Sequence, residues 1–219
     1  MSYLSILTNE YIEIIQLSLY VSVFATVLAF LFSLLLSSYL LLNNFQGKGL
    51  ILLIVNSLMS LPPVVVGLFL YIIFSNSGVL GFLDILYSPT IMIIAQFIII
   101  TPIITSLLYT VFENKYHEIS EYMSSLNVSR GKIINTIILE TRFDLVIVSM
   151  TGLGRALSEV GAVIIVGGNI SNISRVMTTS IVLETSRGEL ELAMYLGLSL
   201  IIIAILINLI IFLVKRIYL

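Results

Sequence analysis

The chain has 219 residues, of which 59% are apolar and 10% are charged, and its formal net charge at pH 7 is −2. A soluble domain carries about 25% charged residues, so a soluble globular protein is excluded and lipid must cover much of this chain. There is no cysteine, and His117 is the one histidine. This composition excludes disulfides and thiolate metal sites, and it leaves little scope for a histidine metal cluster or a Ser-His-Asp triad. The sequence contains no basic block, so it does not indicate a nucleic-acid partner.

Hydropathy predicts an all-α membrane protein. A membrane-spanning helix needs about 20 mostly apolar residues, because the hydrocarbon core is ~30 Å thick. The first apolar run follows Glu10 and Glu13 rather than Lys or Arg and exceeds a signal-peptide core in length, so we expect a retained helix. Five transmembrane helices are predicted, at residues 14–42, 50–74, 89–112, 143–168 and 191–214.

The distribution of Lys and Arg predicts the orientation, because cytoplasmic loops carry the excess of positive charge. With the N-terminus outside, the outer side receives only Arg175 and Arg187. The sequence therefore predicts an N-out, C-in topology. Seven basic residues then lie on the inner side: Lys48, Lys115, Arg130, Lys132, Arg142, Lys215 and Arg216.

Two of the predicted spans contain proline, which removes a backbone hydrogen bond from a helix. Pro62 and Pro63 lie in the second span, and Thr101 and Pro102 lie in the third. Membrane helices tolerate proline where neighbouring groups or cavity water bind the freed carbonyl groups. The prolines predict structural kinks, or bent helices that line a transport pathway, and the two interpretations are compatible.

The polar segment 113–142, on the predicted inner side, has the periodicity of helix rather than of loop. It predicts two short amphipathic helices at the inner membrane face, separated by a break at Arg130-Gly131. Such helices either rest on lipid or dock a partner protein. The apolar residues at helical spacing are Ile119, Tyr122, Met123 and Leu126 before the break, and Ile133, Ile134 and Ile137 after it.

The fourth span carries two opposite charges, Arg155 and Glu159, four residues apart beside a stripe of small residues at Gly154, Ser158 and Ala162. Charges at membrane depth are costly, generally pair, and usually face a bundle interior or an aqueous cavity. The pair predicts either a structural lock between helices or subunits, or a pathway lining that helps an anion past a gate.

The outer connection 169–190 is rich in Ser, Thr and Asn, and it predicts a plug, a half-buried lid or a solvated loop. No second domain and no G-x-x-x-x-G-K-[ST] phosphate loop is present in the sequence. We therefore expect that this chain binds no cofactor or metal, and that another subunit or an ion gradient supplies the energy for transport.

The inner segment resembles the conserved loop of bacterial ABC importer permeases, whose pattern is E-A-A-x-x-x-G followed nine residues later by I-x-L-P. Glu121, Ile137 and Leu139 match this pattern, whereas Asn127 replaces the glycine and Glu140 the proline. Tyr122 and Met123 stand in place of the two alanines. The resemblance implies that contact with an ATPase is made by Glu121, Tyr122, Met123, Leu126, Asn127, Ile137 and Leu139.

Residues 61–67, 154–169 and 175–188 are similar to the permeases of tungstate-type ABC importers, relatives of the molybdate and sulfate permeases. The resemblance covers residues 12–212 as a single type-1 ABC transmembrane domain. It implies a permease subunit of the prokaryotic inner membrane that is not itself an enzyme. Its expected partners are a second copy of the chain, a cytoplasmic ATPase that binds ATP and Mg²⁺, and an extracytoplasmic oxyanion-binding protein.

The resemblance also implies that a coupling segment, residues 117–136, sits in a groove of each ATPase. Tungstate is the expected anion, with molybdate or sulfate as the alternative. An ion-coupled secondary transporter would usually need more spans and inverted repeats, and an intramembrane enzyme would need a nucleophile or metal ligands. The residues expected along the pathway or at its gate are Pro62, Pro63, Thr101, Pro102, Arg155, Ser158, Glu159 and Gly161.

Overall fold

The computed structural model describes residues 3–125 and 128–218, with side chains described at 10–119 and 128–216. All regular elements in these ranges are helical, which confirms the predicted all-α class. Nine α-helices and a short 3-10 helix (Gly81–Leu83) are described. The α-helices are α1 (Tyr3–Leu42), α2 (Lys48–Leu58), α3 (Pro63–Phe74), α4 (Pro89–Ser125), α5 (Arg130–Glu140), α6 (Arg142–Leu157), α7 (Gly161–Gly167), α8 (Met177–Arg187) and α9 (Leu190–Tyr218).

Three of the helices are long and apolar enough to cross a membrane by themselves. They are α1, α4 and α9, and the candidate spans within them, Glu10–Leu42, Pro89–Ile119 and Leu190–Arg216, are 33, 31 and 27 residues long. A span of about 20 residues is sufficient. These helices contain the predicted first, third and fifth spans.

The predicted second and fourth spans are each two helices that meet at a break. The bend predicted at Pro62 and Pro63 is present in the second span, whereas no bend was predicted in the fourth. α2 and α3 meet at an angle of 99°, and α6 and α7 meet at 58°. At the first break Pro62 is extended, with φ −63° and ψ 121°, because the residue before a proline is disfavoured in the helical region. Each bent pair is apolar and long enough to count as one span, which gives three clear spans and up to five among the described residues.

The inner segment also differs from its prediction. α4 continues to Ser125, so the first of the two predicted short helices is the end of α4 and not a separate element. The second predicted helix exists as α5, which begins at Arg130. The break between the two helices therefore precedes Arg130, and it does not lie at Arg130-Gly131 as predicted. α5 is anchored by Ile137, which is fully buried in a cluster with Leu41 and Phe112.

The connection 169–190 is not a solvated loop throughout, because it contains α8, which packs against α9. Most of the buried residues of α8 are polar. Its buried residues are Met177, Thr178, Thr179, Ser180 and Glu184. A solvated loop is therefore excluded along α8, whereas a plug or a half-buried lid stays a prediction.

The main core lies between α1 and α4, and it is completed by residues of α3, α6 and α7. α4 is the central helix, because 56% of its most apolar 18-residue stretch is buried. In α9 the buried share of the corresponding stretch is 6%. α9 is therefore a peripheral helix whose surface is left mostly to lipid or to another protein.

A ladder of hydroxyl groups joins α1 to α4 inside this core. The Thr105 hydroxyl donates to Ser33 Oγ at 2.8 Å, and Ser33 Oγ donates to the carbonyl of Thr101 at 3.2 Å. Ser37 Oγ donates to the carbonyl of Thr105 at 3.1 Å. Hydrogen bonds of this kind join helices where apolar burial cannot, because lipid is as apolar as the core. The predicted site residues Thr101 and Pro102 thus lie in a continuous helix that faces α1.

Thr105→Val is expected to lower the free energy of unfolding of the purified permease by about 1 kcal/mol, since interhelical hydrogen bonds in membrane proteins contribute about 0.6–1.7 kcal/mol. Thr110→Val is the matched control, because the exposed Thr110 hydroxyl donates only to the Ser106 carbonyl of its own helix. Thermal unfolding in detergent measures both variants. An equal loss in the two would contradict a specific role for the ladder.

Candidate functional site

The break between α6 and α7 is built around the carboxylate of Glu159. One carboxylate oxygen accepts from Arg155 Nη1 at 2.9 Å, and the other accepts from the backbone N–H of Ala162 at 3.2 Å. In the second contact the carboxylate accepts a hydrogen bond from one of the N–H groups at the start of α7 that have no partner within the helix. Glu159 is 4% exposed and the Arg155 side chain is 36% exposed. The predicted ion pair is therefore present, with Arg155 in the last turn of α6 and Glu159 beyond its end.

The residues around this pair differ in their surroundings. The Ser158 side chain is exposed and its hydroxyl donates to the Arg155 carbonyl at 2.9 Å, whereas Ala162 is fully buried. Because the helix ends between them, the predicted stripe through Gly154, Ser158 and Ala162 is not one helical face. This interpretation was wrong, since helical spacing persists only as far as the helix does.

α3 and α7 approach each other closely at small residues. A Cβ atom added to Gly67 would lie 2.8 Å from Ala162 Cα, and one added to Gly161 would lie 2.6 Å from Val64 Cγ2. Pro63 is the first residue of α3 and Pro62 precedes it. At that position proline sacrifices no intrahelical hydrogen bond, so Pro63 starts α3 at the 99° bend between α2 and α3. Among the predicted site residues, Pro62, Pro63, Gly161 and Glu159 thus come together around α3 and α7.

One face of α6 exposes polar groups at helical spacing. Asp144, Thr151 and Ser158 are exposed, Arg155 is partly exposed, and a Cβ added to Gly154 would meet no atom within 4 Å. Polar and charged groups at membrane depth normally face protein or an aqueous cavity rather than lipid. This face can therefore line a passage or contact another protein.

Gln96 is a site residue that sequence reasoning missed. It is 4% exposed, and its Nε2 donates to the Ala156 carbonyl at 3.1 Å, at the end of α6. The sequence contains a signal for this residue, since Gln96 is the one polar residue in the apolar run 91–100. A second contact at the site is the Thr178 hydroxyl of α8, which donates to the carbonyl of Glu159 at 2.9 Å.

Of the residues predicted to contact an ATPase, Ile137 and Leu139 lie in α5, apart from this site. Glu121, Tyr122 and Met123 belong to the end of α4, but their side chains lie outside the described ones, and residues 126–127 (Leu126 and Asn127) lie outside the described residues altogether. Ile137 is fully buried, whereas Leu139 is 63% exposed. Ile137 therefore anchors α5 within the protomer, and Leu139 remains available for an external contact.

Ion pairs mark two ends of the helix bundle. Arg175 Nη1 lies 2.9 Å from a carboxylate oxygen of Glu10 at one end. Lys115 Nζ lies 3.7 Å from a carboxylate oxygen of Glu140 at the other end. Each pair joins residues that the charge distribution assigns to one side of the membrane. No group of three or more His, Cys, Asp or Glu that could hold a metal ion occurs among the residues described.

Long apolar helices, broken spans and an ion pair with a buried carboxylate define a multi-pass membrane protein with a polar site in its interior. No protein-family model matches the chain. It is 42% identical over 199 residues to the tungstate uptake system permease protein TupB of Peptoclostridium acidaminophilum, covering 91% of this chain and 87% of that relative. It is 39% identical over 173 residues to TupB of Campylobacter jejuni, covering 79% and 72%.

A third relative, a probable anion ABC transporter permease protein of Haloferax volcanii, is 31% identical over 202 residues, covering 90% of this chain and 87% of the relative. The chain belongs to the family of ABC transporter permeases that includes these tungstate uptake permeases. It is a permease subunit of the inner membrane.

Proposed function

We propose that this chain is the membrane subunit of an ATP-driven importer that moves tungstate into the cell. The observation that carries the proposal is the 42% and 39% identity to two permeases named for tungstate uptake, over most of the chain. The relative named as an anion permease supports the wider class, so molybdate or sulfate is the alternative substrate.

In this proposal both bent pairs span the membrane, which gives five spans with the N-terminus outside and the C-terminus inside. The distribution of basic residues supports this orientation, because Lys48 and Lys115 lie at the same end of the bundle. Lys115 Nζ pairs with Glu140 there, and Lys48 Nζ lies 5.6 Å from the Tyr109 ring centroid. Cytoplasmic flanks carry the excess of Lys and Arg. The single transmembrane domain extends over residues 12–212.

The importer is proposed to contain two copies of this chain, a cytoplasmic ATPase that binds ATP and Mg²⁺, and an extracytoplasmic binding protein. Coupling to the ATPase is assigned to residues 117–136, with Leu139 as an exposed contact. ATP binding would move this segment as a lever and shift the spans from inward-open to outward-open. A complete switch of such an equilibrium needs about 5.5 kcal/mol of differential binding.

The exposed polar face of α6 is proposed to line the passage between the two copies. Arg155 gives this face positive charge, and its partial exposure supports contact with water or with a passing anion. Glu159 neutralises much of that charge at 2.9 Å, so the site would attract an oxyanion without holding it tightly. Weak retention suits a permease, which must release its substrate.

Proteoliposomes containing this chain, its ATPase and its binding protein should accumulate tungstate only when ATP is supplied. Leaving out the ATPase or the binding protein should abolish uptake, and unlabelled molybdate and sulfate should be tested as competitors. Accumulation of anion by this chain alone on an ion gradient would overturn the proposal in favour of a secondary transporter. Efficient sulfate uptake without tungstate uptake would reassign the substrate.

Glu121→Arg is expected to reduce tungstate uptake more than about tenfold while the permease stays folded, because reversing a charge at a protein contact costs several kcal/mol. Co-purification of the ATPase and ATP-dependent uptake measure the effect. Glu189→Arg is the matched control, since it makes the same charge change between α8 and α9. Unchanged uptake and unchanged ATPase retention in Glu121→Arg would remove this residue from the docking surface.

A further inference from the structure

Gln96 leaves one polar atom without a partner in the interior of the bundle. Its Nε2 donates to the Ala156 carbonyl at 3.1 Å, but its Oε1 is buried and has no hydrogen-bond partner. A buried acceptor that lacks a donor costs about 1–3 kcal/mol. In a membrane-spanning helix no lipid group can supply the missing donor.

Gln96 lines a small cavity between α1, α4, α8 and the α6–α7 break. The cavity has a volume of about 10 Å³, and its polar lining residues are Gln96, Ser18, Ser22, Glu159 and Thr178. This volume accommodates about one water molecule, and a buried water typically makes about three hydrogen bonds to buried polar groups.

The polar groups around the cavity mostly use their own protons elsewhere. The Ser18 hydroxyl donates to the Ile14 carbonyl at 2.7 Å and accepts from the Met177 N–H at 2.7 Å. The Thr178 hydroxyl donates to the Glu159 carbonyl at 2.9 Å. Together with Gln96 Oε1, these oxygen atoms offer lone pairs, and a hydrogen-bond donor or a cation in the cavity would satisfy them.

The charge of the site distinguishes between these two ligands. The carboxylate of Glu159 already has Arg155 at 2.9 Å and the Ala162 N–H at 3.2 Å. A metal cation in the cavity would therefore bring an uncompensated charge to membrane depth, which is costly. A water molecule brings two donors and no charge.

We propose that this cavity is a binding site for one water molecule that donates to Gln96 Oε1 and to an oxygen of α8 or of the α6–α7 break. The water joins the central helix α4 to the point at which the fourth span bends. The cavity shares Glu159 with the proposed route of the anion, but it does not depend on which anion is carried.

A cryo-EM map of the assembled transporter in nanodiscs, at a resolution that shows ordered waters, tests the proposal directly. A peak should lie within about 3.5 Å of Gln96 Oε1. The absence of a peak in a map that resolves other buried waters would overturn the proposal. A peak that disappears when Na⁺ is replaced by choline would also overturn it, since the ligand would then be a cation.

Ser22→Val should abolish the peak, because the branched apolar side chain occupies the cavity and leaves the bond from Gln96 to Ala156 intact. Ser38→Val is the matched control on α1, since the Ser38 hydroxyl donates to the Leu34 carbonyl of its own helix, far from the cavity. The control should keep the peak. If Ser22→Val does not fold, Gln96→Met replaces it, and a peak that persists in Gln96→Met would contradict the proposal. A transporter that fails to import tungstate can still show this water, so the two proposals fail separately.

Discussion

Arg155→Ala is expected to destabilise the permease by about 3–5 kcal/mol, because it leaves the buried carboxylate of Glu159 without its cation. Glu159 is 4% exposed, whereas the Arg155 side chain is 36% exposed. Glu159→Ala should therefore do less damage than Arg155→Ala, since the remaining guanidinium can turn to an aqueous surface. Unfolding in detergent and the amount of folded protein in membranes measure the difference.

The double variant Arg155→Ala/Glu159→Ala provides the decisive comparison. It removes both charges together and should be more stable than Arg155→Ala alone, because no buried charge is left unpaired. If the losses of unfolding free energy in the two single variants simply add in the double variant, the pair has no structural role, and a role limited to the pathway is favoured. Arg155→Lys keeps the charge and serves as the control for the loss of positive charge.

Gly67→Ala is expected to destabilise the permease by about 1–3 kcal/mol, the usual cost of overpacking a close contact. The added Cβ would lie 2.8 Å from Ala162 Cα and 3.0 Å from the Ala162 carbonyl oxygen. Both are backbone atoms, so α3 and α7 must move apart to accept the methyl group. Thermal unfolding and ATP-dependent uptake would both register this separation.

Gly197→Ala is the control for this substitution. Gly197 lies in α9, and a Cβ added there meets no atom within 4 Å. Alanine is favoured over glycine in a helix by about 1 kcal/mol, so this variant should be as stable as the parent or more stable. Equal destabilisation of the two variants would show that the contact between α3 and α7 is not tight.

Hydropathy predicted the long helices correctly, but it could not show the breaks. A window of about 20 residues averages over a short bend, so Glu159 was placed inside a continuous span, and the bend in the second span was predicted from Pro62 and Pro63 rather than from hydropathy. The drop in hydropathy after Phe112 had the opposite effect. It suggested the end of a helix, although helical periodicity continues to Ser125. Hydropathy reports the surroundings of a helix, and only hydrogen bonding reports where the helix ends.

The candidate site was predicted in part. The ion pair of Arg155 and Glu159 follows from local spacing, and it survives the break because the two side chains meet across the end of α6. The contact of Gly67 with Ala162 and the bond from Gln96 to Ala156 join residues 95 and 60 positions apart (162 − 67 and 156 − 96). Such contacts depend on how helices pack, which one sequence does not reveal.

The peripheral position of α9 also bears on how the permease is synthesised. The main core is formed by α1, α3, α4, α6 and α7, all of which leave the ribosome before α9 is complete. This core can therefore assemble in the bilayer while the last helix is still being made. Substitutions on the outward face of α9 should then affect its insertion from the translocon more than the folding of the helices that precede it.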